Sequence, residues 1–268
     1  MRLSYDIVVV GAGHAGAEAA SAAARLGSRT LLITIDMEKI ASMSCNPAVG
    51  GVAKGQIVRE IDALGGQMAR MNDKSAIQFR MLNRSKGAAM WSPRAQCDKS
   101  EFSRLWRRTL ENTRNLYLWQ DSVTEILLDH TGEKVAVRGV KTRMGVEIEC
   151  RRVVLTAGTF LGGLMHCGTN SAEGGRAGDE ASHGITEQLV SLGFESGRMK
   201  TGTPARLDAR TINFDALEVQ EGDTEPSKFS YDADTQVVKH QLPCFMVYTS
   251  KAVHDILREG FDRSPLFN

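Results

Sequence analysis

The chain has 268 residues, of which 42% are hydrophobic and 24% are charged, and both values are ordinary for a globular protein. Its formal net charge of +1 gives no overall attraction to nucleic acid, so such binding needs a local basic surface. The five cysteines include no CxxC pair and give no sign of a disulfide framework or a zinc site. No apolar run is long enough to span a membrane and the first strand begins almost at Met1, which predicts a cytoplasmic protein without a membrane partner.

The first predicted element is a buried strand over residues 5–10, followed by a glycine-rich turn and an alanine-rich helix that ends near Leu26. In a dinucleotide-binding turn of this kind, Gly11 permits the tight bend, Gly13 lets the backbone approach a pyrophosphate, and Gly16 lets the helix pack close to its strand. The N-terminal end of the helix then presents free N–H groups to the phosphates. The residues predicted to bind the dinucleotide are Gly11, Ala12, Gly13, His14, Ala15 and Gly16. We expect the His14 side chain to fill the turn rather than to move protons.

Residues 29–34 predict a second parallel strand, and Asp36 follows near its end. An acid at this place binds a ribose in many dinucleotide-binding folds, and a solvated loop carboxylate is the alternative. The next segment, residues 42–56, is too rich in glycine for a regular element and predicts close backbone contact with a ligand or a neighbouring segment. A single helix over residues 57–71 is expected to follow, with its N-terminal end directed at the same region as the first helix.

Residues 78–108 concentrate arginine and lysine around three aromatic residues, Phe79, Trp91 and Trp106. Such a segment can grip phosphates and stack bases, as nucleic-acid grooves do. The alternative, which the sequence favours, is a solvated helix face whose aromatic side chains lie in the core.

Four short alternating stretches follow, which predict a small antiparallel layer over residues 115–119, 123–128, 135–141 and 146–150. A separate strand is expected at residues 152–156, ending in the small residues Ala157 and Gly158. A glycine-rich fingerprint, a β-meander and a returning strand, in this order, favour FAD over NAD, because a plain NAD dehydrogenase repeats its βαβ units without so long an interruption.

Several longer motifs occur in one fixed order: MSCNPAVGGVAKG (43–55), REIDALGG (59–66), VVLTAGTFLGG (153–163), GGRAGD (174–179) and GRMKTGTPAR (197–206). Together they closely resemble the family of tRNA uridine-34 5-carboxymethylaminomethyl modification enzymes, known as MnmG or GidA. The resemblance covers essentially the whole chain. It implies an α/β fold with a Rossmann-like FAD-binding domain of the glutathione-reductase-like, two-dinucleotide-binding type, an inserted antiparallel β-meander, and the start of a second α/β domain.

The resemblance also implies a reaction and its participants. Family members are FAD enzymes that modify the wobble uridine of tRNA together with the GTPase MnmE, with NADH as reductant and methylenetetrahydrofolate as one-carbon donor. The amino group comes from glycine or ammonium. A homodimer and a heterotetramer with MnmE are the implied assemblies.

Carried over by residue, the likeness places the FAD pyrophosphate at residues 11–16, the adenine side near Val123, and a further FAD contact at Ser182. Cys45 falls where the family has a functionally important thiol near the flavin. A thiolate suits nucleophilic attack at uracil C6, and a packed structural thiol is the alternative for Cys45. Cys244 is expected in a buried strand. Three cations, Lys54, Lys200 and Arg206, either pair with phosphate or folate carboxylates or are surface charges.

The predicted division is a FAD-binding domain over residues 1–200 and the start of an inserted substrate or NADH domain over residues 201–268. Residues 217–239 are polar and predict a long surface loop or a mobile insertion. By its resemblance the chain is expected to be an N-terminal portion of the family enzyme. Two alternatives remain open, namely a short form that binds FAD without catalysis and another FAD-dependent oxidoreductase.

Overall fold

The structure is a computed structural model that describes residues 3–43, 46–264 and 267. In chain order the strands and helices are β1 (Ser4–Val10), α1 (His14–Arg25), β2 (Thr30–Thr34), β3 (Ala48–Gly50), α2 (Lys54–Ala63), α3 (Met68–Ser75), β4 (Ala76–Leu82), β5 (Ser92–Cys97), α4 (Lys99–Glu111), β6 (Leu116–Gln120), β7 (Val123–Asp129), β8 (Ala136–Thr142), β9 (Glu147–Leu155), β10 (Leu164–Cys167), β11 (Asn170–Glu173), α5 (Ile185–Ser191), β12 (Glu218–Gln220), β13 (Cys244–Met246) and α6 (Lys251–Arg258).

The central feature is a six-stranded mixed sheet with the order β6-β2-β1-β9-β8-β7. The first four strands in this order are parallel, whereas β9, β8 and β7 pair antiparallel. The expected α/β fold with a Rossmann-like sheet and an antiparallel meander is therefore confirmed.

The observed strands β9 and β6 differ from the sequence predictions. Its first residues, 147–149, pair with β8, and residues 149–155 pair with β1, so the strands expected at 146–150 and 152–156 are one continuous strand. The stretch at 115–119 was expected in the antiparallel layer, but it forms β6 and pairs in parallel with β2. Alternation of apolar residues shows that a strand exists and does not show which neighbour it pairs with.

The parallel strands separate two hydrophobic clusters. On one face, Val9 and Leu32 pack with α1 to α4, and on the other, Val8 and Leu31 pack with the meander strands. All four side chains are almost completely buried. Since successive side chains of a strand point to opposite faces, these near-continuous apolar strands require a layer on each side. Three layers result, because the helices cover one face of the parallel strands and the β-meander strands cover the other.

The helix expected at residues 57–71 is two helices, α2 and α3. Gly65 has φ +90°, a left-handed conformation that ends α2. The Glu18 carboxylate from α1 then accepts hydrogen bonds from the N–H groups of Gln67, at 2.8 Å, and Met68. A carboxylate supplied by another helix therefore caps α3, and hydrophobic periodicity alone does not reveal such a partner.

Residues 217–239 contain little regular structure, as expected, but the segment is not simply a surface loop. Phe229 is only 1% exposed and belongs to the helix-side cluster, with its ring centroid 6.1 Å from that of Phe79. Ser230 and Thr235 are buried as well. The middle of the segment is thus docked against the protein. The domain boundary at residue 200 stays a prediction.

Among the described residues, no helix combines the length and the apolar character that crossing a lipid bilayer requires.

Candidate cofactor site

The glycine turn between β1 and α1 is closed by contacts between backbone groups. The Gly11 N–H donates to the Ile33 carbonyl at 2.8 Å, and Gly11 has φ +97°. A Cβ at this position would lie 2.6 Å from the Thr156 carbonyl oxygen. Only glycine accepts both the left-handed backbone and this close approach without strain.

Gly16 and Thr156 lock the start of α1 onto the sheet. A Cβ on Gly16 would lie 1.7 Å from the Gly11 carbonyl oxygen and 2.6 Å from the Thr156 hydroxyl. That hydroxyl donates to the carbonyl oxygens of Val10 and Gly11, both at 2.8 Å. Sequence reasoning missed Thr156 as a partner of the glycine turn. Its signal was the threonine that directly follows β9.

Gly13 differs from the other two glycines because it faces open space. It is the N-cap of α1 with φ −69° and ψ −173°, which any residue can adopt, and a Cβ there meets no atom within 4 Å. No side chain caps this end of the helix, and its first turn contains no acidic residue. The end of α1 therefore combines a positive dipole end, without an acidic residue in the first turn, with room for an anionic group directly against the backbone.

His14 is held by its surroundings. Its Nε2 atom lies 3.0 Å from the Ala41 carbonyl oxygen, and its ring meets the Phe102 ring edge-on at 5.5 Å between centroids. Burial lowers the pKa of His14, while the hydrogen bond to the Ala41 carbonyl opposes this shift. The imidazole is therefore predominantly neutral at pH 7 and bridges α1 to the segment after β2.

Asp36 lies just beyond the end of β2, as expected. Its carboxylate accepts from the Glu38 N–H at 2.8 Å and lies 3.3 Å from the Lys39 ammonium, and in this way it caps the short turn Met37–Lys39. Its side chain is 31% exposed. Asp36 thus has a local structural role in capping this turn, and its role in binding a ribose stays a prediction.

Val123 and Ser182 are brought together beside the turn that follows β9. Val123 is 2% exposed at the start of β7. The Ser182 N–H donates to the Phe160 carbonyl at 2.7 Å, and its hydroxyl lies 3.3 Å from that of Ser122. The turn between β6 and β7 is fixed to the end of β2 by the Asp121 N–H, which donates to the Thr34 carbonyl at 3.0 Å. Both residues thus lie at the carboxyl edge of the parallel strands, the edge where the glycine turn also lies.

Cys45 lies outside the described residues. The segment that follows it is tightly packed, since Gly50 has φ +84° and a Cβ there would lie 2.3 Å from the Pro93 carbonyl oxygen. Lys54 is the exposed first residue of α2, and Lys200 and Arg206 are exposed in irregular chain. Cys244 lies in the short strand β13, which confirms the predicted strand, but the strand is half-buried rather than buried.

The basic segment at residues 78–108 resembles the favoured alternative more than a nucleic-acid groove. Phe79 and Trp106 are buried in the core, and Trp91 is 44% exposed. Three arginines of this segment form ion pairs, which are Arg84 with Asp223, Arg104 with Glu101, and Arg107 with Glu111 and Glu38. These pairs offset the charge of three of the basic side chains in this segment.

Comparison with known proteins identifies the family. Residues 6–268 match the model of the family described as glucose inhibited division protein A. The chain belongs to this family, GidA. Curated relatives include the tRNA uridine 5-carboxymethylaminomethyl modification enzymes MnmG of Flavobacterium johnsoniae, 57% identical over 98% of this chain, and of Porphyromonas gingivalis, 59% identical over all of it.

Solved GidA structures have the same fold. The Aquifex aeolicus GidA in its form I crystal has a TM-score of 0.93 and 45% identity, over 99% of this chain and 44% of that one. The GidA-related protein of Thermus thermophilus is more distant, with a TM-score of 0.52 and 25% identity over 71% of this chain and 69% of that one. The chain spans about two fifths of the length of the curated relatives it matches, 42% in both cases above.

Proposed function

We propose that this GidA chain is the FAD-binding part of an enzyme that forms the 5-carboxymethylaminomethyl group on the wobble uridine, U34, of tRNA. The observation that carries the proposal is the space in front of Gly13, at the bare N-terminal end of α1. The names of the relatives at 57–59% identity supply the reaction.

The residues around the turn fit a dinucleotide. Gly11 and Gly16 have no room for a side chain because the backbone and Thr156 fill their surroundings, whereas Gly13 has room on the outside only. This is the pattern that a pyrophosphate needs, with a closed turn behind and an open backbone in front. The phosphates would accept from N–H groups of the first turn of α1, with Val123 near the adenine and Ser182 as a further contact.

Bound FAD supplies the redox and one-carbon-transfer chemistry of the modification. The protein holds it at the carboxyl edge of the parallel strands, where ligands bind in open α/β sheets. NADH as reductant, methylenetetrahydrofolate as one-carbon donor, and glycine or ammonium as the source of the amino group belong to this proposal.

Cys45 is the proposed nucleophile. Its thiolate adds to C6 of the uracil, and C5 then forms a bond to the one-carbon unit. Loss of the C5 proton restores the C5–C6 double bond and expels the thiolate. Cys97 is unsuited to this role because burial raises the pKa of its thiol to about 12. The pKa of Cys150 is raised to about 11, also mainly by burial.

The remaining participants belong to the same proposal, and the family resemblance supports them. The substrate is tRNA, the partner is the GTPase MnmE, and the enzyme acts in the cytoplasm as a homodimer that joins MnmE in a heterotetramer. Both sequence alternatives differ from this proposal in activity rather than in the FAD site. A FAD test therefore comes first and a tRNA test second.

The first experiment measures flavin retention. The purified chain is mixed with FAD and desalted, and its visible absorbance is recorded beside that of Gly13→Ala. We expect near-equimolar flavin on the original chain and an affinity lowered by at least about tenfold in the variant, because the added methyl group occupies the pyrophosphate position. The dihedral angles of Gly13 suit alanine, so folding is preserved.

Gly132→Ala is the matched control. Gly132 lies in the turn between β7 and β8, where a Cβ makes ordinary contact at 3.7 Å with the Lys134 carbonyl oxygen, and its flavin retention should equal that of the original chain. A folded original chain without flavin, or equal retention by Gly13→Ala, contradicts the FAD site.

The second experiment tests the reaction. When the gene that encodes this chain is disrupted, nucleoside mass spectrometry of bulk tRNA should show loss of the modified wobble uridine. The intact gene should restore it, and a gene with Cys45→Ala should not. Restoration by Cys45→Ala would assign the C6 attack to another group.

A further inference from the structure

Two segments at the edge of the candidate site are joined by one ion pair. Lys39, in the turn after β2, contacts the carboxylate of Asp179, which lies 140 residues further along the chain. The Asp179 side chain is only 4% exposed, although it belongs to an irregular segment. A carboxylate this buried is stable only with close partners.

Asp179 has a second partner in its own segment. The Arg176 guanidinium donates to the other Asp179 oxygen at 2.7 Å and lies 5.9 Å from the centre of the Phe160 ring. Burial raises the pKa of Asp179, but the hydrogen bonds from Lys39 and Arg176 outweigh it and hold the pKa below its usual range. The carboxylate is therefore charged at neutral pH and depends on both cations.

The two joined segments lie on either side of the glycine turn. On one side, the Ala41 N–H donates to the Ala12 carbonyl at 2.8 Å, which fixes residues 36–41 to the turn. On the other, residues 174–182 lead from β11 to Ser182, and Ser182 is bonded to Phe160 in the turn after β9. The ion pair thus closes a ring of segments around the carboxyl edge of the sheet.

We propose that the Lys39–Asp179 ion pair is a clasp that holds residues 174–182 in place at the cofactor site. Lys39 and Asp179 are positioning residues, because they set the place of Ser182 and need not touch the ligand. This inference rests on the proposed function, which supplies the cofactor. Lys39 also serves Asp36, so one ammonium orders both edges of the site.

The first arm of the test needs no ligand. Amide hydrogen exchange is measured by mass spectrometry on the free chain and on Lys39→Met, which keeps the length of the side chain and removes its charge. The N–H groups of Ser182 and Gly162, which bond at 2.7 and 2.8 Å, should exchange faster in the variant, while peptides of α1 stay unchanged.

The second arm measures FAD affinity. We expect Lys39→Met and Asp179→Asn each to weaken it by about tenfold. The double variant should lose little more than either one, because each single variant already breaks the pair that joins the two segments, and the pairs with Asp36 and Arg176 that are also lost lie within one segment each. Lys39→Arg should keep most of the affinity of the original chain, since arginine is also positively charged and can reach the Asp179 carboxylate. A side chain that only fills space would not show this charge-dependent rescue.

Arg143→Met is the matched control. Arg143 pairs with Glu180, the neighbour of Asp179, but the two side chains are 62% and 75% exposed. Loss of this pair should therefore change neither the amide exchange of Ser182 and Gly162 nor the affinity for FAD. Unchanged amide exchange in Lys39→Met overturns the clasp. The clasp is also overturned if Arg143→Met changes amide exchange and FAD affinity as much as Lys39→Met does. A chain that binds no FAD but shows the expected exchange would contradict the proposed function and leave the clasp standing.

Discussion

The glycine turn at residues 11–16 and the irregular segment at residues 222–243 are held in place in opposite ways. In the turn, the Gly11 N–H donates to the Ile33 carbonyl, and close packing against backbone atoms leaves no room for a side chain at Gly11 or Gly16. In the later segment, the N–H groups of Phe229 and Ser230 donate to the carboxylate of Asp73, at 2.9 and 2.8 Å. Buried backbone groups need partners in either case.

The second segment depends on carboxylates from the helices beneath it. Asp62 of α2 accepts from the Ser230 hydroxyl and from the Tyr231 N–H, both at 2.8 Å, and Arg70 of α3 pairs with Asp232 at 2.8 Å. The Phe229 side chain, beside these contacts, is buried in the helix-side cluster. Irregular chain is thus fixed either by close backbone packing that requires glycine or by side chains of neighbouring helices.

The largest effect is expected from Gly16→Ala. Its methyl carbon would lie 1.7 Å from a backbone oxygen, so α1 must move away from β1. We expect a loss of more than about 4 kcal/mol in the free energy of unfolding, or no folded protein. Urea denaturation followed by circular dichroism measures it, with Gly132→Ala as the control. A Gly16→Ala variant of normal stability would show that the turn is not rigidly packed.

Phe229→Ala should come next. Removal of a fully buried ring costs about 3–4 kcal/mol, because a cavity remains beside Phe79 and Gly50. Tyr231→Ala is the control, since this side chain is 70% exposed and its loss should cost less than about 0.5 kcal/mol. Equal stabilities in urea would mean that residues 222–243 are not docked in solution.

The smallest effect is a difference in pH dependence between the two regions. Burial lowers the pKa of His14, so the unfolded chain gains the proton first and stability is lost as the pH falls below about 6.5. Burial raises the pKa of Asp73 against the lowering by its hydrogen bonds, so the folded chain keeps the proton longer. The contribution of Asp73 is therefore lost as the pH rises above about 4.

Urea unfolding between pH 4 and pH 8 separates these two contributions. His14→Gln should remove part of the slope near pH 6, and Asp73→Asn should remove part of the opposite slope at lower pH. If each variant keeps the slope of the original chain, these two groups do not carry the pH dependence.

The glycine turn was predictable because its evidence is local. Three glycines between a β-branched strand and an alanine-rich helix define the backbone conformation within six residues. The clasp between Lys39 and Asp179 was not predictable, since the two residues are 140 positions apart and the GGRAGD motif that ends at Asp179 does not show which cation its carboxylate contacts. The docking of Phe229 was hidden for a similar reason, because its partners Asp62 and Asp73 lie on helices that precede it by more than 150 residues.

The strand β9 also has a consequence for biosynthesis. Ser4 in β1 pairs with Glu149, so β1 leaves the ribosome well before this partner, which is made about 145 residues later. At the usual rate of synthesis this delay is about 7 to 30 s. During that time one edge of β1 is unpaired and the hydroxyl of Thr156 has not yet reached the Gly11 carbonyl. The nascent chain therefore exposes an apolar strand edge to chaperones, and its glycine turn is completed only after Thr156 has been made.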